Sequence, residues 1–482
     1  MGGAIHRTSS GALVVSDMLL RVYHRMPPVA RSLAASLRGL YLRSWRYGPE
    51  TERLVLEARE RETWTPERWR SWREERLAFV LHRAATRVPF YRDQWAARRR
   101  SGDRASWEVL SNWPILVKEP LRRTPRAFVA DDCDVRRLFH EHTSGTSGTP
   151  LHLWWSRATV RACYALSEAR SRRWHGVSRF DRWAICGGQL VTPISQQEPP
   201  FWVWNAALNQ LYVSSYHLSP KLIPACLAAL RRYRVTYLLG YSSSLEAIAR
   251  EAIALGEELP LKVAITNAEP LREHQRDAIG RAFRCPVRET YGMAELVATA
   301  TECEAGRLHL WPEVGWLEVR NENGPVTPGQ AGELVCTGLL NADMPLIRYR
   351  VGDRAAEYTG DVGCACGRQL PALAYVEGRS DDVLYTRDGR RVFWLNPVLY
   401  GLPVREAQIV QESLGRLRVR YVPAPGFAGS DARSLVGRVQ ARMGQVEVVL
   451  EEVAQVPRTR NGKFRALICD IPSHERALVS AK

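Results

Sequence analysis

Between residues 54 and 100, Leu, Val and Trp recur at helical spacing among many arginines, which predicts a run of amphipathic helices through the first hundred residues. From about residue 134 to 377 the pattern changes. Short apolar runs at 182–186, 236–239, 262–266 and 333–337 are expected strands, and helical stretches separate them. Such alternation argues for an α/β body. Past residue 380 the chain turns to mixed short elements, with apolar runs at 408–412, 417–422 and 446–451, the pattern of a small α+β domain. The expected architecture is therefore a large multi-layer α/β domain over residues 1–380, with a helical arm over 1–100 packed on its body, followed by a small α+β domain over 381–482. No internal repeat or low-complexity tract interrupts it.

A chain of 482 residues is long enough to bury two cores. No apolar run reaches the roughly 18–20 residues needed to span a bilayer. The apolar stretch near the N-terminus is broken by Asp17 and followed by Arg21, His24 and Arg25, which argues against a cleavable signal. Ten cysteines are scattered except for Cys364 and Cys366, unlike a secreted disulfide framework, and a cytoplasmic setting is expected.

The net charge of +17 suits a polyanionic ligand, an anionic membrane surface or nucleic acid. Arginine supplies nearly all of it, spread along the chain, and no nucleic-acid recognition module is present. No specific nucleic-acid partner is expected, whereas the basic, aromatic-rich N-terminal helices are compatible with peripheral membrane contact. Only five lysines remain, at 118, 221, 262, 463 and 482. Where arginine has replaced lysine elsewhere, a retained lysine points to a compact ammonium that a guanidinium does not imitate, and this draws attention to Lys463.

The run Thr143, Ser144, Gly145, Thr146, Ser147, Gly148, Thr149, Pro150 has the composition of a polyphosphate loop. Its glycines let the backbone turn N–H groups toward an anion, and its hydroxyls add short donors. No lysine follows Gly148, so it is not the nucleotide loop that ends in Gly-Lys-Ser/Thr. Further on come Ala268-Glu269-Pro270, Tyr291-Gly292-Met293-Ala294-Glu295, the run from Arg348 to Asp353, Glu377-Gly378-Arg379-Ser380-Asp381-Asp382, and Asn461-Gly462-Lys463. In this order over 320 residues, these motifs resemble the adenylate-forming superfamily, in particular its phenylacetate-CoA ligase-like branch. The segments 20–23, 39–41 and 88–91 are similar to members associated with capsule and polysaccharide biosynthesis.

The resemblance implies an ATP-dependent ligase that activates a carboxylic acid to acyl-AMP with release of pyrophosphate. It assigns the adenine to Ala268, Glu269, Pro270, Tyr291 and Gly292, and the ribose hydroxyls to Asp353, with Arg379 as a further contact. Glu295 would hold Mg²⁺, a hard cation suited to carboxylate and phosphate oxygens. Ala294 stands where many relatives carry Thr or Ser, so one phosphate contact of the pattern is missing. Lys463 would stabilise charge on the reacting phosphoryl group, carried by a C-terminal domain that rotates about a hinge at Asp381. The acyl pocket is implied between Gly240-Tyr241 and Met293-Ala294, with Trp202 and Trp204 either an aromatic wall or a packing cluster.

Cys303, His309, Cys364 and Cys366 offer three thiolates and an imidazole, a set suited to a structural tetrahedral Zn²⁺. Fifty-four residues lie between His309 and Cys364, so spacing alone does not separate a zinc site from unligated buried cysteines; some phenylacetate-CoA ligase-like proteins share the arrangement. The family makes an aryl or arylacetic acid the leading substrate, ahead of fatty, amino or sugar-linked acids. Coenzyme A is the default acceptor. The alternatives are amide formation with an amine and a degenerate nucleotide-binding relative, and the retained Lys463, Glu295 and Asp353 argue against the latter. The oligomeric state is not legible.

Overall fold

The computed structural model describes residues 19–142, 151–360, 363–379, 384–387, 391–392, 395–399, 402–459, 464–472 and 475–476. The loop residues Thr143 to Thr149, the expected hinge Asp381 and Lys463 lie outside them. The chain forms two compact units. One takes residues 1–60, 160–267 and 271–289, and the other takes 61–159, 268–270 and 290–482.

In the first unit the expected strands appear as Trp183–Gly187, Tyr237–Gly240 and Val263–Thr266, parallel to one another and to Gln210–Ser214. The first residues of Val287–Gly292 continue the parallel set, and Trp202–Asn205 closes the far edge antiparallel. Val263–Thr266 is buried at every position and Tyr237–Gly240 nearly so, as expected of strands covered on both faces. Helices Ile223–Arg232, Ser242–Ala254 and Glu273–Phe283 supply Leu227, Leu230, Leu245, Ile248, Ile279 and Phe283 to the core of this unit. Helix Pro28–Arg46 also belongs here, seated on Trp202–Asn205 by backbone and serine contacts.

The second unit begins with helices Pro66–Arg87 and Pro89–Arg100, each started by a proline whose missing N–H falls where no partner exists. The predicted helices of the first hundred residues are thus divided between the two units rather than gathered in one arm. Thr299–Glu302, Leu308–Leu310, Gly315–Asn321, Gly332–Gly338, Tyr349–Glu357 and Ala372–Arg379 form an antiparallel sheet. Val80, Leu81, Tyr91, Trp95, Trp113, Phe128 and Tyr349 share its core.

The C-terminal part of this unit is a separate α+β domain. Strands Val404–Ser413, Arg416–Pro423, Glu447–Glu452 and Leu467–Cys469 form a four-stranded sheet covered by helix Gly429–Met443. Its core holds Leu384, Ile409, Leu417, Val419, Leu435 and Val439.

Candidate active site

In the second unit, strand Val287–Gly292 ends at Tyr291 and Gly292, and a short turn follows through Met293 and Ala294 to Glu295. Tyr291 donates its hydroxyl to Asp353 Oδ2 at 2.9 Å. Burial, and then the neighbouring Asp353 carboxylate, push the Tyr291 phenol well above its ordinary range, so it stays a proton donor. Asp353 lies on Tyr349–Glu357 directly opposite Arg379, and Gly352 ahead of it takes a left-handed φ of 85°. The neighbouring pair is tied by Arg354 Nε donating to Glu377 Oε2 at 2.8 Å. The spacing of these motifs therefore becomes a cross-strand register.

Glu295 is only 8% exposed, and Tyr349, itself buried, donates to its Oε1 at 2.8 Å. The Tyr349 phenol thereby fixes the direction in which the buried Glu295 carboxylate points. Met293 and Ala294 pack partly buried against the core of this unit. Of the six non-glycine residues with positive φ among the described residues, two fall in these motifs, Ala268 at 62° and Arg348 at 46°, and a third, Leu296 at 53°, directly follows Glu295. Each holds a conformation that costs on the order of 1 kcal/mol or more, and such strain concentrates at functional sites.

The C-terminal domain reaches the Ala268–Pro270 segment of its own unit. Phe464, the residue after Lys463, donates its backbone N–H to Glu269 Oε1 at 2.7 Å. Pro270 approaches Gly378 within ordinary van der Waals distance of where a side chain there would begin. In the first unit, Gly240 closes its strand where the backbone of Cys186 comes close: a Cβ would sit 2.7 Å from Cys186 O. Tyr241 then starts helix Ser242–Ala254 at the carboxyl edge of the parallel strands, the edge at which open α/β sheets bind ligands. Trp202 and Trp204 are half-buried and pack against the core of that unit, with Trp204 stacked on Tyr233.

Arg348, quoted above only as the start of a motif, proves to be an anchor. Its Nε and Nη2 meet both oxygens of Glu318 at 3.0 and 3.1 Å, and Nη1 donates to Trp113 O at 2.7 Å and Ser111 O at 3.3 Å. Backbone bonds between Leu116 and both Arg348 and Arg350 hold the same strand start. Neither Tyr349 nor Glu318 carried a sequence signal of its own. Tyr349 stood within the quoted motif, four residues before Asp353, with no role assigned to it.

The Cys/His quartet is brought together by register. Leu308–Leu310 pairs with Thr299–Glu302 on one side, placing His309 opposite Thr301, and with Ala372–Arg379 on the other, placing it opposite Ala372. The turn carrying Cys303 and the loop carrying Cys364 and Cys366 thereby meet. Their ligand atoms and that of His309 all lie within 4.8 Å of one another. Cys303 Sγ is 3.7 Å from Cys364 Sγ, and Cys366 Sγ is 3.4 Å from His309 Nε2. A tetrahedral ion with bonds of about 2.3 Å to sulfur and about 2.0–2.1 Å to nitrogen separates its ligands by about 3.5–3.8 Å. The Cys303–Cys364 separation falls on such an edge and the Cys366–His309 separation just below the range, and two sulfurs 3.7 Å apart are far too distant for a disulfide. His309 Nδ1 lies 3.0 Å from Leu370 O, and because a carbonyl only accepts, Nδ1 carries the proton and Nε2 presents its lone pair toward Cys366 Sγ. Burial lowers the His309 pKa to about 4, keeping the ring neutral as a ligand must be.

A family model described as "AMP-binding enzyme" matches residues 70–343, and one described as "CapK C-terminal domain" matches residues 384–470. Protein CapK of Staphylococcus aureus is 24% identical over 94% of this chain and 100% of its own length. Phenylacetate-coenzyme A ligase of Thermus thermophilus is 27% identical over 74% of this chain and 81% of the relative. Among solved structures, 2-hydroxyisobutyryl-CoA ligase in its postadenylation state superposes with a TM-score of 0.64 at 21% identity, covering 88% of this chain and 94% of the other, a likeness of fold.

Proposed function

Because the chain belongs to the AMP-binding enzyme family, and so to the adenylate-forming ligases of the phenylacetate-CoA ligase-like branch, we propose that it activates a carboxylic acid on ATP and passes the acyl group to coenzyme A. The acid is aryl or arylacetic in this reading, the class named in the phenylacetate-CoA ligase relatives. A carboxylate oxygen of the acid attacks the α-phosphorus, the bond to pyrophosphate breaks, and an acyl-AMP anhydride results. The thiol of coenzyme A then attacks the acyl carbon and AMP leaves.

Charge grows on the phosphoryl oxygens in the first step, so catalysis requires alignment and cations placed where that charge appears. Glu295, oriented by Tyr349, is the proposed ligand of Mg²⁺, which supplies charge neutralisation when bound. Asp353, held by Tyr291, is the proposed acceptor for the ribose hydroxyls, and Ala268–Pro270 with Tyr291 and Gly292 the proposed adenine wall. The loop Thr143 to Thr149 is assigned to the phosphates and Arg379 to a further ribose or phosphate contact. Gly240, Tyr241, Met293 and Ala294 are assigned to the acyl group.

One observation carries the role given to Lys463: the backbone contact of Phe464 with Glu269 joins the residue next to this lysine to the proposed adenine segment. In this reading Lys463 serves adenylation, and the domain over 381–482 then turns about Asp381 to withdraw it for thioester formation. The test measures pyrophosphate release from MgATP across aryl, arylacetic, fatty and amino acids, with hydroxylamine trapping acyl-AMP. Lys463→Ala is expected to abolish this half-reaction while sparing acyl transfer from preformed acyl-AMP. Equal loss of both half-reactions would refute the assignment.

The quartet of Cys303, His309, Cys364 and Cys366 is proposed to hold a structural Zn²⁺, since all four positions are protein ligands and no place is left for substrate. Protein purified without chelator should carry about one zinc, released on thiol modification with a fall in melting temperature. Less than about half an equivalent would count against it. A cytoplasmic location is the matching proposal, supported by ten free thiols; none of the described helices is long and apolar enough to cross a membrane.

A further inference from the structure

Seven of the seventeen large apolar side chains exposed among the described residues lie within residues 19–41. Five of them, Val29, Leu33, Leu37, Leu40 and Tyr41, are on helix Pro28–Arg46 and between 51% and 83% exposed. At 3.6 residues per turn they fall within an arc of about 120°. The helix is not free to roll and hide them, because its other face is fastened to its own unit. Arg31 donates to Thr192 Oγ1, Ser32 Oγ accepts from Trp204 N at 3.2 Å, and Ser36 Oγ accepts from Ala206 N at 3.1 Å. Gly39 lies against Asn205 so closely that any Cβ there would overlap it. The helix thus has a polar and small-residue face fixed inward and an apolar stripe fixed outward.

We propose that the outward stripe docks the protein on an anionic lipid surface. Exposed Arg38 and Arg43 border the stripe on its two sides, where long stems can lie along acyl chains while the guanidinium groups reach headgroup phosphates. Tyr41 stands at the stripe's edge, the position at which an amphipathic ring meets the boundary of water and lipid. From Met18 to Pro49 the sequence holds six arginines and no acidic residue, so the charge carried by this segment itself has one sign. That charge selects the occupant. A second copy pairing face to face would bring the same arginines against one another, whereas an anionic membrane satisfies both the apolar stripe and its basic margins.

The experiment is cosedimentation of the full chain with vesicles of phosphatidylcholine alone and of phosphatidylcholine containing about a third phosphatidylglycerol, at about 0.1 M and 0.5 M salt. The expected result is binding to the anionic vesicles at least about tenfold tighter than to neutral ones and weakened by salt. The double change Leu33→Glu, Leu37→Glu and the double change Arg38→Glu, Arg43→Glu should each lower it about tenfold or more. All four sites are exposed, so circular dichroism and melting should match the parent. Four outcomes would overturn the proposal: no preference for anionic vesicles, unchanged binding in the Leu33→Glu, Leu37→Glu variant, a dimer that this variant dissolves without any vesicle binding by the parent, or vesicle binding that emerges only when residues 1–18 are removed. None bears on pyrophosphate release, so the docking surface and the adenylation reading fail separately.

Discussion

Replacing Arg348 by Met tests whether this motif arginine anchors the strand start or serves the nucleotide. The side chain of Arg348 is 8% exposed and that of its partner Glu318 is 18% exposed, and four hydrogen bonds end on the guanidinium. Methionine keeps the stem but leaves the carbonyl of Trp113 without this donor and the mostly buried Glu318 carboxylate with Arg320 Nη1, at 3.2 Å from Oε2, as its remaining cation. Removing one partner of a buried pair costs about 3–5 kcal/mol, and the slight exposure of Glu318 together with its remaining bond to Arg320 favours the lower end, about 3 kcal/mol. In a chain of several domains a single unfolding free energy is ill-defined, so the loss is better read locally. Amide exchange over 111–116 and 349–357, followed by mass spectrometry, should accelerate about 150-fold, which is about 3 kcal/mol at 1.36 kcal/mol per decade. Changing Glu318→Leu together with Arg348→Met removes both charges and should recover most of the loss. Unchanged exchange in the single variant, within about threefold, would refute the anchoring argument, as would a double variant no better than the sum of the singles. A raised requirement for ATP with normal exchange would assign Arg348 to the nucleotide instead.

Tyr349→Phe removes the donor to Glu295 Oε1, and metal titration of pyrophosphate release should show the half-maximal Mg²⁺ concentration rising about tenfold with little change in the acid's KM. An unchanged Mg²⁺ requirement would show that Tyr349 does not orient a metal ligand. Gly240→Ala drives a Cβ to within 2.7 Å of Cys186 O, a backbone atom that can move only by shifting a central strand; about 1–3 kcal/mol should be lost in the exchange of Trp183–Gly187 and Tyr237–Gly240. Gly292→Ala is the contrast, because its nearest neighbour would be Thr299 Oγ1 at 3.5 Å, and the fold should tolerate it within about 0.5 kcal/mol.

Local order was legible wherever one period or one motif decided it. The continuous apolar runs that became Trp183–Gly187, Tyr237–Gly240, Val263–Thr266 and Gly332–Gly338 declared buried strands, shifted by a residue or so at their ends, because a strand covered on both faces tolerates little else. The ordered series from Thr143 to Lys463 pointed to the family because each member is short and its residue types are dictated by nucleotide chemistry. What proximity decides was not legible. Cys303 and His309 meet Cys364 and Cys366 because two strand pairings converge on His309, and register belongs to the sheet, not to any spacing along the chain. Arg348 reads as one more basic residue until Glu318 and Trp113 are folded onto it. The helix Pro28–Arg46 shows amphipathic periodicity in its residues, but periodicity does not say which apolar face is covered. That choice was made by Ser32, Ser36 and Gly39 seating the helix on Trp202–Asn205, which left Leu33 and Leu37 to the outside. Composition and periodicity act within one segment and so determined the elements; the partners of each side chain depend on segments far apart in the chain, and only the tertiary structure decided them.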